Sequence, residues 1–230
     1  MSDTLKTGTL YLVSTPIGNL EDISLRALRI LKEADIVAAE DTRRTGLLLK
    51  HFNIKSSLES YHNYNKEKKT PFLLELLSGG RTIAVVSDAG TPGISDPAYY
   101  LVKRAVQAGI TVSPVPGATA AVASVIVSGL PTDRFVFEGF LPSKKGRKTR
   151  LEQLKTENRT LILYEAPHRL VRTLNDLLNT FGNRQISVCR EMTKKFEEII
   201  RGSLTEIIEI FTRRKVRGEI VLVIEGCGKK

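Results

Sequence analysis

The sequence has no tryptophan, only two cysteines and no apolar run long enough to cross a membrane. Its start also lacks the basic-then-apolar pattern of a secretory signal, so the sequence predicts a cytoplasmic protein. Cys189 and Cys227 lie far apart and belong to no metal-spaced cluster, which argues against a disulfide. His51, His62 and His168 are scattered, and no H-E-x-x-H motif occurs. We therefore expect chemistry without a catalytic metal.

Two common nucleotide-binding motifs are also missing. The chain has no G-x-x-x-x-G-K-[ST] segment, which disfavours a phosphate-cradling P-loop. It has no G-x-G-x-x-G after the first predicted strand either. That absence disfavours a dinucleotide-binding fold and, equally, the common Rossmann-type methyltransferase.

Positive charge is what the sequence has in excess. Its 230 residues include 35 Lys and Arg against 25 Asp and Glu, a net charge of +10. This surplus suggests a polyanionic partner, most simply nucleic acid, although many basic cytosolic proteins bind none. A hydrophobic fraction of 41% is ordinary for a globular protein, and the length suits one large domain or two small ones.

Strand-like apolar runs alternate with amphipathic helical stretches. The run Thr9 to Ser14 has the pattern of a buried strand, and Ser24 is placed to cap a helix that follows it. This alternation predicts βαβ units and a mainly parallel sheet. Residues 117–130 are small and apolar all round, which predicts a buried helix. Strand patterns then resume, and "QISVCRE" with "FEEIIRG" predicts an antiparallel hairpin. We predict an α/β fold of two consecutive α/β domains, residues 1–117 and 118–230.

Three unusual loops follow predicted strands. They are "STPIGN", "SDAGTPGISD" and "PVPGATAA". In parallel α/β sheets, ligands bind outside the carboxyl ends of strands. Glycine and alanine let a ligand approach the backbone closely, and proline fixes the chain. The loops therefore predict a backbone-lined ligand cradle, the alternative being that they are only tight strand-to-helix turns.

Six segments together resemble the tetrapyrrole methylase superfamily and, within it, the branch that methylates small-subunit ribosomal RNA. They are "LYLVSTPIGNLEDISLRALRILKEADIVAAEDTR", "VSDAGTPGISDPA", "PVPGATAAVAS", "FEGFLP", "YEAPHRL" and "REMTK". The resemblance covers nearly the whole chain. It implies two domains of the tetrapyrrole methylase type, with S-adenosylmethionine (SAM) in the cleft between them, and a homodimer. It also implies 2′-O-methylation of a cytidine in 16S ribosomal RNA, free or in the 30S subunit. Some members carry a further C-terminal domain, which we expect this chain to lack.

The resemblance also implies which residues contact the cofactor. Three loops of the first domain and the start of the following helix would contribute, with additional contacts from two strand ends of the second domain. The predicted cofactor-binding residues are Pro16, Ile17, Asp88, Ala89, Gly90, Thr91, Pro92, Ile94, Thr119, Ala120, Tyr164, Glu165 and Met192.

Methyl transfer from a sulfonium to a hydroxyl needs positioning and removal of the hydroxyl proton, but no metal. The segments "EDTRR", "EAPHR" and "REMTKK" each mix carboxylates with cations at a predicted strand end. From them we predict Asp41 or Glu165 for proton handling, and Arg43 or Arg190 for orienting a phosphate or the developing alkoxide. Each could instead form a surface or helix-capping salt bridge. His168 is a general base by its ordinary pKa, but its place at a helix start equally suits a capping role.

The densest basic segment is residues 141–150, "LPSKKGRKTR". Its proline, serine and glycine indicate a loop that begins a helix. We predict a mobile clamp on RNA phosphates, the alternative being a solvated basic face. The cations of this predicted clamp are Lys144, Lys145, Arg147, Lys148 and Arg150.

The predicted function is SAM-dependent 2′-O-methylation of ribosomal RNA. One alternative is a methyltransferase for a small, tetrapyrrole-like molecule on the same scaffold, although an acidic macrocycle needs fewer cations than this chain carries. The other is a noncatalytic RNA-binding assembly factor that has kept the fold.

Overall fold

The chain forms two compact units, Met1–Thr119 and Ala120–Lys230. The computed structural model describes residues 8–228. The boundary predicted from the sequence lies two residues earlier, after residue 117. Within the described residues no helix has both the length and the apolar character needed to span a membrane.

The first unit contains a parallel sheet of five strands in the order β3-β2-β4-β1-β5. This confirms the parallel arrangement predicted for this part of the chain. The strands are β1 (Thr9–Val13), β2 (Ile36–Ala39), β3 (Ser57–Ser60), β4 (Ile83–Val86) and β5 (Thr111–Val115). The helices are α1 (Leu25–Glu33), α2 (Thr42–His51), α3 (Lys66–Ser78) and α4 (Ala98–Gln107).

Apolar side chains cover both faces of this sheet. Along β4, Ile83 and Val85 pack into one cluster with α3 and α4, while Ala84 and Val86 pack into the other with α1 and α2. The alternation follows from the two-residue period of a strand, and burial on both faces explains why β4 is apolar throughout. Ser24 caps α1 as predicted, since its Oγ accepts a hydrogen bond from the Ala27 amide at 3.1 Å.

The second unit contains a mixed sheet in the order β6-β7-β10-β8-β9. Only the β6–β7 pair is parallel, so the prediction of a mainly parallel sheet is wrong for this unit. The predicted β8–β9 hairpin is confirmed, since the two strands pair antiparallel. The loop 191–197 that joins them is too short for a crossover helix. The strands are β6 (Phe135–Phe140), β7 (Thr160–Glu165), β8 (Gln185–Arg190), β9 (Glu198–Ser203) and β10 (Ile220–Ile224).

Four helices accompany this sheet. Their bounds are α5 (Ala120–Val127), α6 (Arg147–Leu154), α7 (Leu170–Phe181) and α8 (Leu204–Thr212). Leucines of α7 and the aliphatic and aromatic side chains of α8 pack on one sheet face against β7, β8 and β10. The prediction that α5 is buried all round is wrong, because Val122 and Ile126 are 45% and 66% exposed. These two residues are four apart and so share one face of the helix.

Candidate active site

The loops that leave β1 and β4 are joined at the carboxyl edge of the first sheet. Thr15 and Gly90 exchange two backbone hydrogen bonds, of 2.9 and 3.1 Å, which form an antiparallel bridge. Beside this bridge, the buried Ser14 Oγ lies 2.9 Å from Thr91 Oγ1. Our sequence analysis missed Ser14, although its place at the end of an apolar strand was a signal. The two loops therefore act as one backbone surface.

The loop that leaves β5 joins the same surface. Thr91 Oγ1 donates a hydrogen bond to the Ala118 carbonyl at 3.1 Å. Gly117 passes so close to β1 that a Cβ at residue 117 would lie 2.8 Å from Ser14 Cβ. Only glycine fits that approach. Thr119 comes two residues after Gly117, and Ala120 is the first residue of α5.

Gly90 lies where these loops converge. Its φ is +88°, a left-handed conformation that favours glycine. A Cβ there would lie 3.2 Å from Ile17 Cγ2 and 3.5 Å from the Ala118 carbonyl oxygen. A side chain at residue 90 would therefore crowd Ile17 and the loop that leaves β5. This observation fits the predicted backbone cradle.

The remaining predicted residues of these loops differ in exposure. Ala89 and Ile94 are exposed, Pro16 is half-buried, and Ile17 and Pro92 are buried. The loop itself is closed by a carboxylate that we did not predict, Asp96, which accepts hydrogen bonds from the amides of Gly93 and Ala98. The cradle is thus held by its own hydrogen bonds.

Asp88 links the end of β4 to the end of β2. Its Oδ1 accepts a hydrogen bond from the Asp41 amide at 2.9 Å, and its Oδ2 lies 3.5 Å from the Arg44 guanidinium. The turn after β4 is closed by Ser87 Oγ, which donates to the Gly90 carbonyl at 3.2 Å.

Asp41 is the N-cap of α2. Its Oδ1 accepts from the Arg43 amide at 2.9 Å, and both carboxylate oxygens bind the Arg43 guanidinium. These hydrogen bonds lower the pKa of Asp41 to about 2. Both carboxylate oxygens are thus engaged by Arg43, which favours a helix-capping role for Asp41 over the predicted proton handling.

The neighbouring Glu40 has the opposite electrostatics. Partial burial raises the pKa of its carboxyl group, and the negative charges of Asp88 and Asp96 raise it further, against smaller lowering effects of a hydrogen bond from the Asp88 amide and of His62. A carboxylate that is partly buried beside like charges binds protons more readily. Glu40 was part of the segment "EDTRR", but its sequence gave no reason to prefer it over Asp41.

Glu165, at the end of β7, is enclosed within the second unit. Its Oε1 accepts from the Ala166 amide and from Arg169, each at 2.7 Å, and its Oε2 accepts from Thr173 Oγ1 at 2.5 Å. Its side chain is 1% exposed. A substrate hydroxyl cannot reach this carboxylate, which corrects the prediction that Glu165 takes the proton. A side-chain contact from Glu165 to a cofactor is excluded for the same reason.

The other predicted residues of the second unit have structural contacts of their own. The Tyr164 ring packs edge-to-face on the rings of Phe137 and Phe140, with centroids 5.0 and 5.6 Å apart. Met192 is buried in the β8–β9 loop. Arg190 Nε binds Glu198 at 2.9 Å, so its guanidinium is partly engaged. Arg43, by contrast, is largely exposed.

The predicted RNA clamp divides into buried and exposed cations. The side chain of Arg147 is buried and donates hydrogen bonds to Asp176, Thr173 and the Pro142 carbonyl at 2.8, 2.8 and 3.2 Å. This corrects its prediction as a phosphate contact, because a guanidinium held inside the fold cannot reach RNA. Arg150 forms a bidentate pair with Glu138.

Three lysines of the segment remain available. Lys144, Lys145 and Lys148 are exposed, and none of them has an ion-pair partner among residues 8–228.

No group of three or more His, Cys, Asp or Glu side chains in that part of the chain could hold a metal ion. Cys189 and Cys227 are free thiols.

The model of the tetrapyrrole (corrin/porphyrin) methylase family matches residues 9–208. Among curated proteins, the ribosomal RNA small subunit methyltransferase I of Halalkalibacterium halodurans is 56% identical over 224 residues, which are 97% of this chain and 78% of that protein. The protein of the same name from Thermotoga maritima is 48% identical over 219 residues, covering 95% of this chain and 99% of its own length.

Solved structures with the same fold are methyltransferases. The uroporphyrin-III-C-methyltransferase of Thermus thermophilus superimposes with a TM-score of 0.67 at 23% identity, over 95% of this chain and 94% of the other. A second structure of a uroporphyrin-III C-methyltransferase from this organism, complexed with S-adenosyl homocysteine, gives 0.65 at 22% identity, over 95% and 97%. At these identities the similarity shows the fold.

Proposed function

The chain belongs to the tetrapyrrole (corrin/porphyrin) methylase family and, within it, groups with the methyltransferases of small-subunit ribosomal RNA, and from this premise we propose that it methylates the 2′-hydroxyl of a cytidine in 16S ribosomal RNA. It is a SAM-dependent methyltransferase of small-subunit ribosomal RNA. The choice of cytidine and of the ribose oxygen is the proposed part. The identity to ribosomal RNA methyltransferases over nearly the whole chain supports the substrate, and the resemblance of the sequence motifs supports the cytidine and its ribose oxygen. We also propose a cytoplasmic location, because the proposed substrate is ribosomal.

The proposed SAM site is the backbone surface formed by the loops that leave β1, β4 and β5. Gly90 supports it, because its left-handed backbone and its lack of a side chain let the three loops pack closely beside Ile17 and Ala118. Bound SAM would supply a methyl group on a positively charged sulfur. Thr91 and Ser14 hold the loops in register, so the cradle needs little reorganisation when a ligand binds.

Glu40 is the proposed proton acceptor for the ribose hydroxyl. It stands at the carboxyl end of β2, beside Asp88 of the β4 loop, and burial with nearby negative charge raises its pKa. Its neighbour Asp41 holds Arg43 at the start of α2, and the exposed Arg43 is the proposed contact for a substrate phosphate. Arg190, engaged with Glu198, is proposed to position its own loop.

Transfer of labelled methyl from SAM tests the function. Naked 16S ribosomal RNA, intact 30S subunits and small tetrapyrrole precursors serve as the three acceptors. Mass-spectrometric mapping of ribose methylation then identifies the nucleotide. Incorporation into a base, or into the small precursors alone, would contradict the proposal, and RNA binding without any transfer would indicate an assembly factor.

The three exposed lysines of the basic segment are expected to contact RNA phosphates. Changing Lys144, Lys145 and Lys148 together to alanine should weaken RNA binding and reduce the salt slope by up to about 0.9 per lost contact on a duplex or about 0.7 on a single strand. SAM affinity should not change. KM for RNA should rise while kcat stays, because the binding lost is common to ground and transition states. Filter binding over a salt series measures the slope.

A matched control removes the same charge elsewhere. Lys32, Lys50 and Lys103 are exposed on helices of the first unit. Their triple alanine variant should keep the RNA affinity of the wild type. Arg147 is left unchanged in both variants, since removing its buried guanidinium would take one hydrogen bond each from Asp176 and Thr173 and destabilise the fold by about 1.5–3 kcal/mol. Equal salt slopes in the two triple variants would identify the segment as a solvated face.

We also propose that the protein is a symmetric homodimer, on the resemblance to the superfamily alone. Sedimentation of the purified chain at micromolar concentration should give twice the monomer mass. A monomer under those conditions would contradict the proposal.

A further inference from the structure

Four loops lie along one edge of the second sheet, the edge formed by the ends of β6, β7 and β8 and the starts of β9 and β10. Glu165 at the end of β7 is paired with Ile220 at the start of β10, which is paired with Arg190 at the end of β8. The parallel strand β6 ends on the same side, so the basic segment begins there too. The basic segment and the β8–β9 loop (residues 191–197) therefore lie at opposite ends of one edge. Four strand spacings separate them, roughly 19 Å.

The β8–β9 loop presents an exposed aromatic ring. Phe196 is 66% exposed, and the Lys195 ammonium lies 5.8 Å from the centroid of its ring. Lys195 has no ion-pair partner within residues 8–228. The loop thus offers an exposed aromatic face next to a cation, the two features that binding sites for single-stranded RNA combine.

This loop is held in a fixed conformation. Glu191 and Thr193 have φ angles of +51° and +65°, which non-glycine residues seldom adopt. Hydrogen bonds hold them there. The Glu191 amide donates to the Glu219 carbonyl at 2.9 Å, and the Thr193 amide donates to Glu197 at 2.6 Å. Lys194 bridges Glu191 and Glu219 at 2.9 and 3.1 Å.

The segment before β10 also holds the β8–β9 loop in place through contacts with residues 190 and 191. A Cβ at Gly218 would lie 2.5 Å from Glu191 Cδ, so the backbone at Gly218 is in contact with the Glu191 side chain. Arg190 also donates to the Arg217 carbonyl at 3.3 Å. The loop thus presents Phe196 as a preorganised ring, which would lose little entropy when a ligand stacks on it.

The charges around the ring favour an anion. Arg190 and Arg214 share Glu198, and Lys194 is satisfied by Glu191 and Glu219. The exposed cations beyond these pairs are Lys195, Lys215 and Arg217, and none of the three has an ion-pair partner in the described part of the chain. An exposed ring with one cation over it and further unpaired cations in the neighbouring segment matches a nucleobase with its phosphate.

We propose that Phe196 is a stacking platform for an unpaired nucleobase of the RNA substrate, forming a second RNA contact at the far end of the edge from Lys144, Lys145 and Lys148. The proposal rests on the proposed RNA methyltransferase function. Lys195 and Arg217 bind the phosphates that flank the stacked base. Because every base has a π face, the platform selects single-stranded RNA over a duplex without reading sequence.

Two variants of Phe196 test this. In Phe196→Ala, affinity for a short single-stranded oligoribonucleotide should fall about 5- to 150-fold. The salt slope should stay at the wild-type value, because no phosphate contact is removed. Phe196→Tyr should restore most of the affinity, and neither variant should change SAM affinity or binding of duplex RNA.

The absence of tryptophan from the chain provides a direct readout. Phe196→Trp places the only tryptophan of the variant on the platform, and its emission should be quenched by the oligoribonucleotide. Phe135→Trp is the matched control. Phe135 is 39% exposed and begins β6, at the opposite edge of the same sheet, so its emission should not respond.

The outcomes separate this proposal from the proposed function. If the wild type binds the oligoribonucleotide but Phe196→Ala binds it equally and Phe196→Trp shows no quenching, the platform is refuted and the RNA function stands. If Phe196→Ala alters sedimentation and not RNA affinity, the ring lies in a protein interface and the platform is again refuted. If the wild type binds no RNA, both the platform and the function fail.

Discussion

SAM binding is expected to be lost when Gly90 is replaced by valine. The new Cβ would lie 3.2 Å from Ile17 and 3.5 Å from the Ala118 carbonyl, inside the surface proposed to hold the ligand. We expect affinity to fall by about 100-fold or more, a change of about 2.7 kcal/mol. Isothermal titration calorimetry of the folded variant measures it.

The control for this variant is Gly109→Val. Gly109 follows α4 with a φ of +69°, and a Cβ there would have nothing within 4 Å. Both valines must adopt a left-handed backbone conformation, at a cost of about 1–3 kcal/mol in stability. Only the valine at residue 90 also crowds the proposed site. If the two variants bound SAM equally well, the proposed position of the cofactor would be wrong.

Methyl transfer is expected to fall about 100- to 10,000-fold in Glu40→Gln, the usual contribution of a general base. SAM and RNA affinities should be kept, so the loss should appear in kcat. Burial, Asp88 and Asp96 raise the pKa of Glu40, so the folded protein disfavours its ionised form at neutral pH. Glutamine carries no charge, and the variant should be at least as stable as the wild type. Single-turnover kinetics measures the rate.

Asp41→Asn is the control for the adjacent carboxylate. Asparagine caps helices about as well as aspartate, so α2 should keep its start and the rate should change little. The pH profile separates the two residues further. In the wild type, kcat should fall as pH drops through the raised pKa of Glu40, whereas Asp41, with a pKa of about 2, stays ionised throughout. Equal rate losses in the two variants would contradict the assignment of Glu40.

The first unit was largely predictable because its sequence patterns are strong. The apolar run of β4 and the cap at Ser24 indicated a buried strand and a helix start, and both are present. The edge strand β3 could not be found, since "SLES" offers a single aliphatic residue. In the second unit the strands were recognised, but apart from the β8–β9 hairpin their directions were not. Direction depends on which strands pair, and β10 pairs with two strands that precede it by many residues.

The individual site residues were harder to predict than the loops that carry them. Composition alone indicated that the "GTPG" loop was a backbone surface. It could not show that Asp41 is neutralised by Arg43, that Glu165 is enclosed by Arg169 and Thr173, or that Arg147 is buried. Each outcome depends on which partner lies within hydrogen-bond distance. The sequence therefore could not distinguish charged side chains that are paired within the fold from those that are free to contact a substrate.

The central place of β10 has a consequence for synthesis on the ribosome. In the first sheet the central strand β4 pairs with both β1 and β2, so these strands are joined once residue 86 has been made. In the second sheet β7 and β8 emerge before the strand that joins them, so each presents an unpaired edge until residues 220–224 appear. At about 5–20 residues per second, the nascent chain passes from Glu165 to Ile224 in roughly 3–12 seconds. A chain stalled before Ile220 should therefore be cleaved within the second unit by added protease, while the first unit resists.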